Sequence, residues 1–320
     1  MSTIADNLIF SLNATLPVFL MMVFGWFAER INLLDEHTTK KLNQFAFRVL
    51  LPALLFKDLS EADFRVVWDT KFVLFCFAAT VISIAIAVLL SWLHKDKSER
   101  GEIIQASYRS SAAILGIAFV NNIYGQATMA ALMIVATVPL YNIAAVTVLS
   151  ITSPERDGGG DRKSLFLKTA KNVVTNPIII GIIAGMLWSV LKIPQPVILS
   201  KSVSYLANMA TPLSLIALGA SVKIGEAKEK LPTAAWISAV KLVLFCVIFL
   251  PFAVMLGFCD EKLIAILVML GSATTGSCFV MCRNLGHRGT LTACTVMLTT
   301  LLSAFTLTAW LFVLRTLGYI

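Results

Sequence analysis

Residues 271–278 read GSATTGSC, eight small or weakly polar residues in a row within an otherwise apolar segment from about Leu263 to Cys282. Such a run makes poor lipid-facing surface and a poor helix. At an offset of 160 residues, Gly271 corresponds to Ser111, and there the chain reads YRSSAAILG, Tyr108 to Gly116, again a small polar run in an apolar segment. Two such interruptions at matched positions need a common explanation.

Composition narrows the setting. The chain has 320 residues, 58% of them hydrophobic and only 14% charged, and its mean hydropathy is +0.84. Soluble domains carry roughly a quarter charged residues, so the sequence describes an all-α integral membrane protein, with membrane lipid as its solvent. Met1 to Asn7 lacks a positive leader and a small-residue cleavage site, so the first apolar segment is expected to remain as a transmembrane helix. Apolar runs bounded by charges give ten expected spans at 6–28, 38–57, 72–93, 102–124, 129–151, 172–191, 203–222, 233–258, 262–282 and 290–316, each about the 20 residues that a bilayer needs.

Lys and Arg set the orientation. Lys95, Lys97, Arg100, Arg162, Lys163, Lys168, Lys228 and Lys230 fall in alternate loops, which are expected on the cytoplasmic side with both termini outside. The net charge of +8 is then mostly a topology signal, and nucleic acid is not an expected partner. Cys278 and Cys282 lie one helical turn apart, but no His or carboxylate stands nearby to complete a metal site. They are read as small buried hydrophobes, and no cofactor is expected.

The linker SPERDGGGDRKS divides the chain into residues 1–151 and 165–320, and the halves share a pattern at the 160-residue offset. Pro17 and Gly25 match Pro177 and Gly185, Pro52 matches Pro212, and Gly116 matches Gly276. Five spans per unit is an odd number, so the copies insert with opposite orientation, the inverted repeat of secondary transporters. Both small polar runs occupy the fourth span of their repeat, so the fourth and ninth spans are expected to break and cross. Where a helix breaks, the next half-helix presents free N–H groups and partial positive charge, which favour an anion.

The candidate substrate-binding residues are those of that crossing. They are Arg109, Ser110, Ser111, Ala112 and Gly116 in one run and Ala273, Thr274, Thr275, Gly276 and Ser277 in the other. Hydroxyls there cap free N–H groups and donate to a ligand, while small side chains let backbone approach it. A tight helix contact is the alternative. Asn142, in the fifth span, either lines the same cavity or bonds a neighbouring helix.

By this map all eighteen Asp and Glu fall in loops or at helix ends, and the charges within spans are Arg48, Arg109 and Lys241. Arg109 directly precedes Ser110, a position suited to a substrate carboxylate or to snorkelling. Lys241 is expected to snorkel to the cytoplasmic surface, and Arg48 to pair with carbonyls around Pro52. The lack of intramembrane acids disfavours a proton or cation antiporter.

The stretches PVFLMMVFGWFAERINLL, FRVLLPALLF, YRSSAAILGIAFVNNIYG, NPIIIGIIAGMLW and ATPLSLIALGASV together resemble the auxin efflux carrier family over nearly the whole chain. That family includes plant auxin carriers and bacterial permeases for malate or malonate. The resemblance implies ten helices in two inverted repeats, in a fold similar to sodium/proton antiporters and bile-acid symporters. It implies a scaffold of spans 1, 2, 6 and 7 that mediates homodimerisation. Spans 3–5 and 8–10 would form a transport domain moving like an elevator in a bacterial inner membrane. A small organic anion would sit where spans 4 and 9 cross. Ser111 stands where members commonly carry Asn, Ser110 and Ala273 where plant carriers have Pro, and Ala118 where bacterial members often have Pro. Asp69 and Thr70 resemble an acidic support position whose lysine partner, one turn later, is Val73 here.

The expected function is therefore a secondary transporter of a small organic anion. The alternative is a transporter-like sensor that binds without flux. An enzyme is not expected, since the sequence holds no GxSxG, no HExxH and no paired acids at depth.

Overall fold

Lipid offers nothing to bond a free N–H or C=O, so a chain this apolar must satisfy its backbone within helices. The computed structural model describes residues 4–61, 68–112, 119–120, 123–124, 128–153, 175–222 and 224–320, and these hold helices and no strand. Helix α1 (Ile4–Arg30) runs unbroken through Pro17. Helix α2 (Glu36–Phe45) is capped by Asp35, whose carboxylate accepts from the Thr38 N–H at 2.7 Å. It continues through a π-helical turn, Ala46–Leu50, into α3 (Leu51–Ser60).

Helix α4 (Thr70–Ser91) is capped by Asp69 and followed by α5 (Arg100–Tyr108) and α6 (Thr128–Thr152). Helix α7 (Pro177–Val190) has Asn176 as its cap and proline at its first position, where no N–H is lost. Then come α8 (Val197–Ala220) and α9 (Ile224–Ala239), which passes through a second π-helical turn, Val240–Leu244, into α10 (Phe245–Met255). Helices α11 (Asp260–Gly271), α12 (Ser277–Asn284) and α13 (Thr290–Thr316) complete the chain. Among the described residues, five stretches are long and apolar enough to cross a bilayer: α4, α6, α8, Ala227–Met255 and α13. The SPERDGGGDRKS linker from Pro154 on lies outside the described residues.

The distribution of side chains suits lipid as solvent. Ile198 and Met255 are more than four-fifths exposed, whereas Thr295, Thr299 and Thr300 of α13 are buried. Their hydroxyls donate to carbonyls one turn back, at 2.7–2.9 Å, so a polar seam runs inside without an unsatisfied group. Cys278 and Cys282 are buried as read from the sequence.

The packing gives two groups of helices, joined extensively through α1 and α13. Helices α1 and α8 pack closely, as do α3 and α7, and α3 also meets α8. Helices α4, α5 and α6 pack together, and α11 joins α10 and α6, while α13 lies against α9, α11 and α1. Glycines set two of the closest approaches. A Cβ on Gly25 would lie 2.2 Å from the Ile216 carbonyl oxygen, and one on Gly185 would lie 2.8 Å from that of Phe56. Both partners of the second contact are offset by 160 residues from those of the first.

Candidate binding site

The two small polar runs do interrupt helices. Helix α5 ends at Tyr108 and residues 109–111 are non-helical, while α11 ends at Gly271 and residues 272–276 separate it from α12. The interruptions touch. The Ser111 N–H donates to the Ala273 carbonyl at 2.9 Å, and the Thr274 hydroxyl donates to the Ala106 carbonyl at 2.9 Å. The Ser110 hydroxyl donates to the Met269 carbonyl, so carbonyls left free at each helix end are taken up from the opposite run.

A cavity of ≈ 70 Å³ opens beside this meeting point, between the two helix groups. One wall is Leu51, Leu54, Leu55 and Asp58 of α3 with Ala210, Thr211 and Ser214 of α8. The other carries Arg109, Ser110, Ser111 and Ala112, then Val138, Tyr141 and Asn142 of α6, and Thr275, Gly276 and Ser277 at the start of α12.

Of the eleven candidates read from the sequence, eight line this cavity. Ala273 and Thr274 do not. They hold the two interruptions together, and the Thr274 N–H donates to the Thr299 hydroxyl at 3.1 Å. Gly116 lies outside the described residues.

Arg109 is 5% exposed, so it does not snorkel. Its Nη2 donates to Asn142 Oδ1 at 2.7 Å and to Ser277 Oγ at 3.0 Å, and Nη1 lies against Met281 Sδ. Asn142 therefore does both things considered for it: it bonds a neighbouring segment and lines the cavity. Its amide donates to the Val138 carbonyl at 2.8 Å, which fixes its oxygen toward the guanidinium. Among the described residues no carboxylate forms an ion pair with Arg109.

Two expectations for basic residues are corrected. Lys241 does not snorkel: it is fully buried, and its Nζ donates to the carbonyls of Leu270 at 2.8 Å and Tyr108 at 3.4 Å and to the Ser110 hydroxyl. The reason is helix length. Helix α9 begins at Ile224, not near 233, so Lys241 stands well over two turns deeper than expected. The Arg48 side chain is exposed and makes no hydrogen bond among the described residues, so the carbonyls around Pro52 are not its partners.

Sequence reasoning also missed residues. Asp58 is near the end of α3, as expected of an acid, yet lines the cavity. Thr211 and Ser214 flank Pro212 on the same wall, and that small polar cluster in ATPLS was the available signal. The Asp69 carboxylate lacks a lysine one turn on but receives Lys262 of α11, Nζ to Oδ2 at 2.5 Å. That ion pair and the Phe72 N–H hold its carboxyl below the usual aspartate range.

Comparison with known proteins points to membrane transport. The membrane transport protein family matches residues 10–311. A Rhizobium meliloti protein named "Putative malonate transporter" is 25% identical over 308 residues, 94% of each chain. An "Uncharacterized transporter" of Methanothermobacter thermautotrophicus is 21% identical over 73% of this chain and 75% of its own. Another from Methanocaldococcus jannaschii is 24% identical over 66% of this chain and 68% of its own. The family is one of membrane transport proteins and the relatives are transporters by name, so the protein is a multi-pass membrane transporter rather than an enzyme. With a match that runs nearly end to end, the chain belongs to the membrane transport protein family, the auxin efflux carrier family that its sequence resembles.

Proposed function

We propose that this transporter is a secondary permease of the elevator type that carries a small organic anion, a carboxylate, through the cavity beside Arg109. The observation that carries the reading is the Arg109 guanidinium, buried in the cavity wall and held by Asn142 and Ser277 with no carboxylate counter-ion among the described residues. Around it stand the Ser111, Thr275 and Ser277 hydroxyls and the N-terminus of α12, which offer donors or partial positive charge. The name of the Rhizobium relative supports a dicarboxylate of malonate size as the first substrate to try.

Ten spans in two inverted five-helix repeats account for the fold best. The matched contacts Gly25–Ile216 and Gly185–Phe56 support this, because two related halves packed symmetrically reproduce a contact with each partner exchanged for its counterpart 160 residues away in the other half. Span four is then the segment that begins with α5, and span nine is the pair α11–α12, each broken where the other crosses. The grouping of α1, α3, α7 and α8 favours a scaffold of spans 1, 2, 6 and 7, which also supplies a homodimer contact. The cavity lies between that scaffold and the group carrying Arg109, where sliding of one against the other would carry the ligand across. Both termini are extracytoplasmic in this arrangement, and a bacterial inner membrane is its setting.

Uptake into proteoliposomes tests the reading. Wild type should accumulate a labelled dicarboxylate, and Ser111→Leu and Thr275→Leu, which fill the cavity from either run, should abolish uptake. Unchanged uptake in both variants refutes the site, and saturable binding with no turnover in wild type refutes the transporter.

A further inference from the structure

A broken helix exposes two ends of opposite sign, and an anion site uses only the N-terminal ones. The C-terminal ends of α5 and α11 meet on the far side of Ser110. Each carries about half a negative charge, so their meeting point is worth about one negative charge held away from water. Lys241 stands at that point. Its ammonium has three protons and three oxygen partners: the carbonyl of Tyr108, the last residue of α5; the carbonyl of Leu270, next to last in α11; and the Ser110 hydroxyl. It is 0% exposed, belongs to no ion pair among the described residues, and does not line the cavity.

Carbonyl and hydroxyl oxygens gathered at half-helix C-termini are hard ligands of the kind that broken-helix transporters offer to Na⁺. Here the chain fills the place with its own cation. The π-helical turn Val240–Leu244 that carries Lys241 is a local insertion of the kind often found at functional sites.

We propose that the Lys241 ammonium is a tethered cation occupying an oxygen cage for a small monovalent ion, built by Tyr108, Ser110 and Leu270, so that this chain engages its anion without Na⁺. Lys241 is then a positioning residue. It neutralises the paired C-termini and fixes Ser110, whose neighbours Arg109 and Ser111 face the ligand. Removing the ammonium while leaving space should open the cage to an ion from solution. Replacing it with an apolar chain of similar length should keep the cage closed.

The inference depends on the anion reading only for what the cage serves, so the test is made on the purified full chain with no carboxylate present. Melting temperature is measured in choline chloride, with NaCl or KCl then replacing the choline at constant ionic strength. Wild type should show no Na⁺ response, within about 1 °C. Lys241→Ala should melt lower in choline and recover by a few degrees as Na⁺ saturates the cage, while Lys241→Met should melt lower without recovery. A Na⁺ response in wild type as large as in Lys241→Ala overturns the proposal, as does an equal response in Lys241→Met. Failure of Lys241→Ala to fold in Na⁺, or a folded Lys241→Ala that ignores Na⁺ and K⁺ alike, overturns it too. In proteoliposomes, dicarboxylate uptake by wild type should survive replacement of Na⁺ by choline within about twofold, and uptake by Lys241→Ala should require Na⁺. Wild-type flux that needs Na⁺ refutes the tethered cation, whereas no flux in any salt refutes the anion reading and leaves the melting result standing.

Discussion

Arg109→Gln is the substitution that bears most directly on the proposed anion site. The guanidinium is the only cation lining the cavity among the described residues, so its loss removes the single full positive charge that a carboxylate would meet. A unit pair about 4 Å apart at an effective dielectric near 20 is worth roughly 4 kcal/mol. Nη2 is already committed to Asn142 and Ser277, and ligand and guanidinium each lose solvation on pairing. The net loss is then about 2–3 kcal/mol, or roughly a 30- to 150-fold weaker Kd. Arg109→Lys keeps a point charge but loses the planar fork, and should fall between wild type and Arg109→Gln. The assay is equilibrium binding of a panel of mono- and dicarboxylates and their neutral amides, at a temperature where each variant is folded. Wild type should prefer acid to amide, and Arg109→Gln should lose that preference along with its affinity. A folded Arg109→Gln whose carboxylate Kd stays within threefold of wild type would show that Arg109 only ties Asn142 to Ser277, and the anion reading would fall with it.

Other consequences separate the crossing from the cavity. Thr274→Val removes the hydroxyl bonded to the Ala106 carbonyl and leaves that carbonyl buried without a donor. It should lower stability by about 1–3 kcal/mol in thermal or denaturant unfolding, with carboxylate Kd unchanged within twofold. Gly25→Ala and Gly185→Ala each place a methyl against a backbone carbonyl, at 2.2 and 2.8 Å. Both should destabilise by at least about 1–3 kcal/mol, the first by more, as seen in paired melting curves. Asp58→Asn removes a like charge from the opposite wall. It should tighten carboxylate binding by about 1–2 kcal/mol, taking a unit charge on the order of 10 Å away at an effective dielectric near 20, and unchanged or weaker binding in titrations would contradict that placement.

How far the sequence could be read depends on which distances are local. The interruptions at 109–111 and 272–276 were legible because eight small or polar residues in an apolar segment favour neither a lipid-facing helix nor a packed one. Arg109 was legible as a charge placed beside one of them. Its partners were partly legible: Ser277 belongs to the matched run, and Asn142 is a polar side chain within an apolar helix. No local pattern carries the pairing of elements far apart in the chain. Lys262 reaching Asp69 is one case. Asp58 is another, an acid near a helix end whose exposure depends on where the opposite wall stands. Lys241 is the instructive one, because two errors combined there. Ending the span at the last apolar residues placed it near the surface, although Ile224–Leu231 continues the helix below it. Counting only the N-terminal ends of the broken helices then left no use for a second buried cation. A break always creates both signs, so a pair of crossing breaks presents one region that favours an anion and another that needs a positive charge. Arg109 lines the cavity beside the start of α12 and Lys241 meets the last carbonyls of α5 and α11, and a lysine within an apolar segment should be weighed against every helix end of opposite sign before it is assigned to the surface.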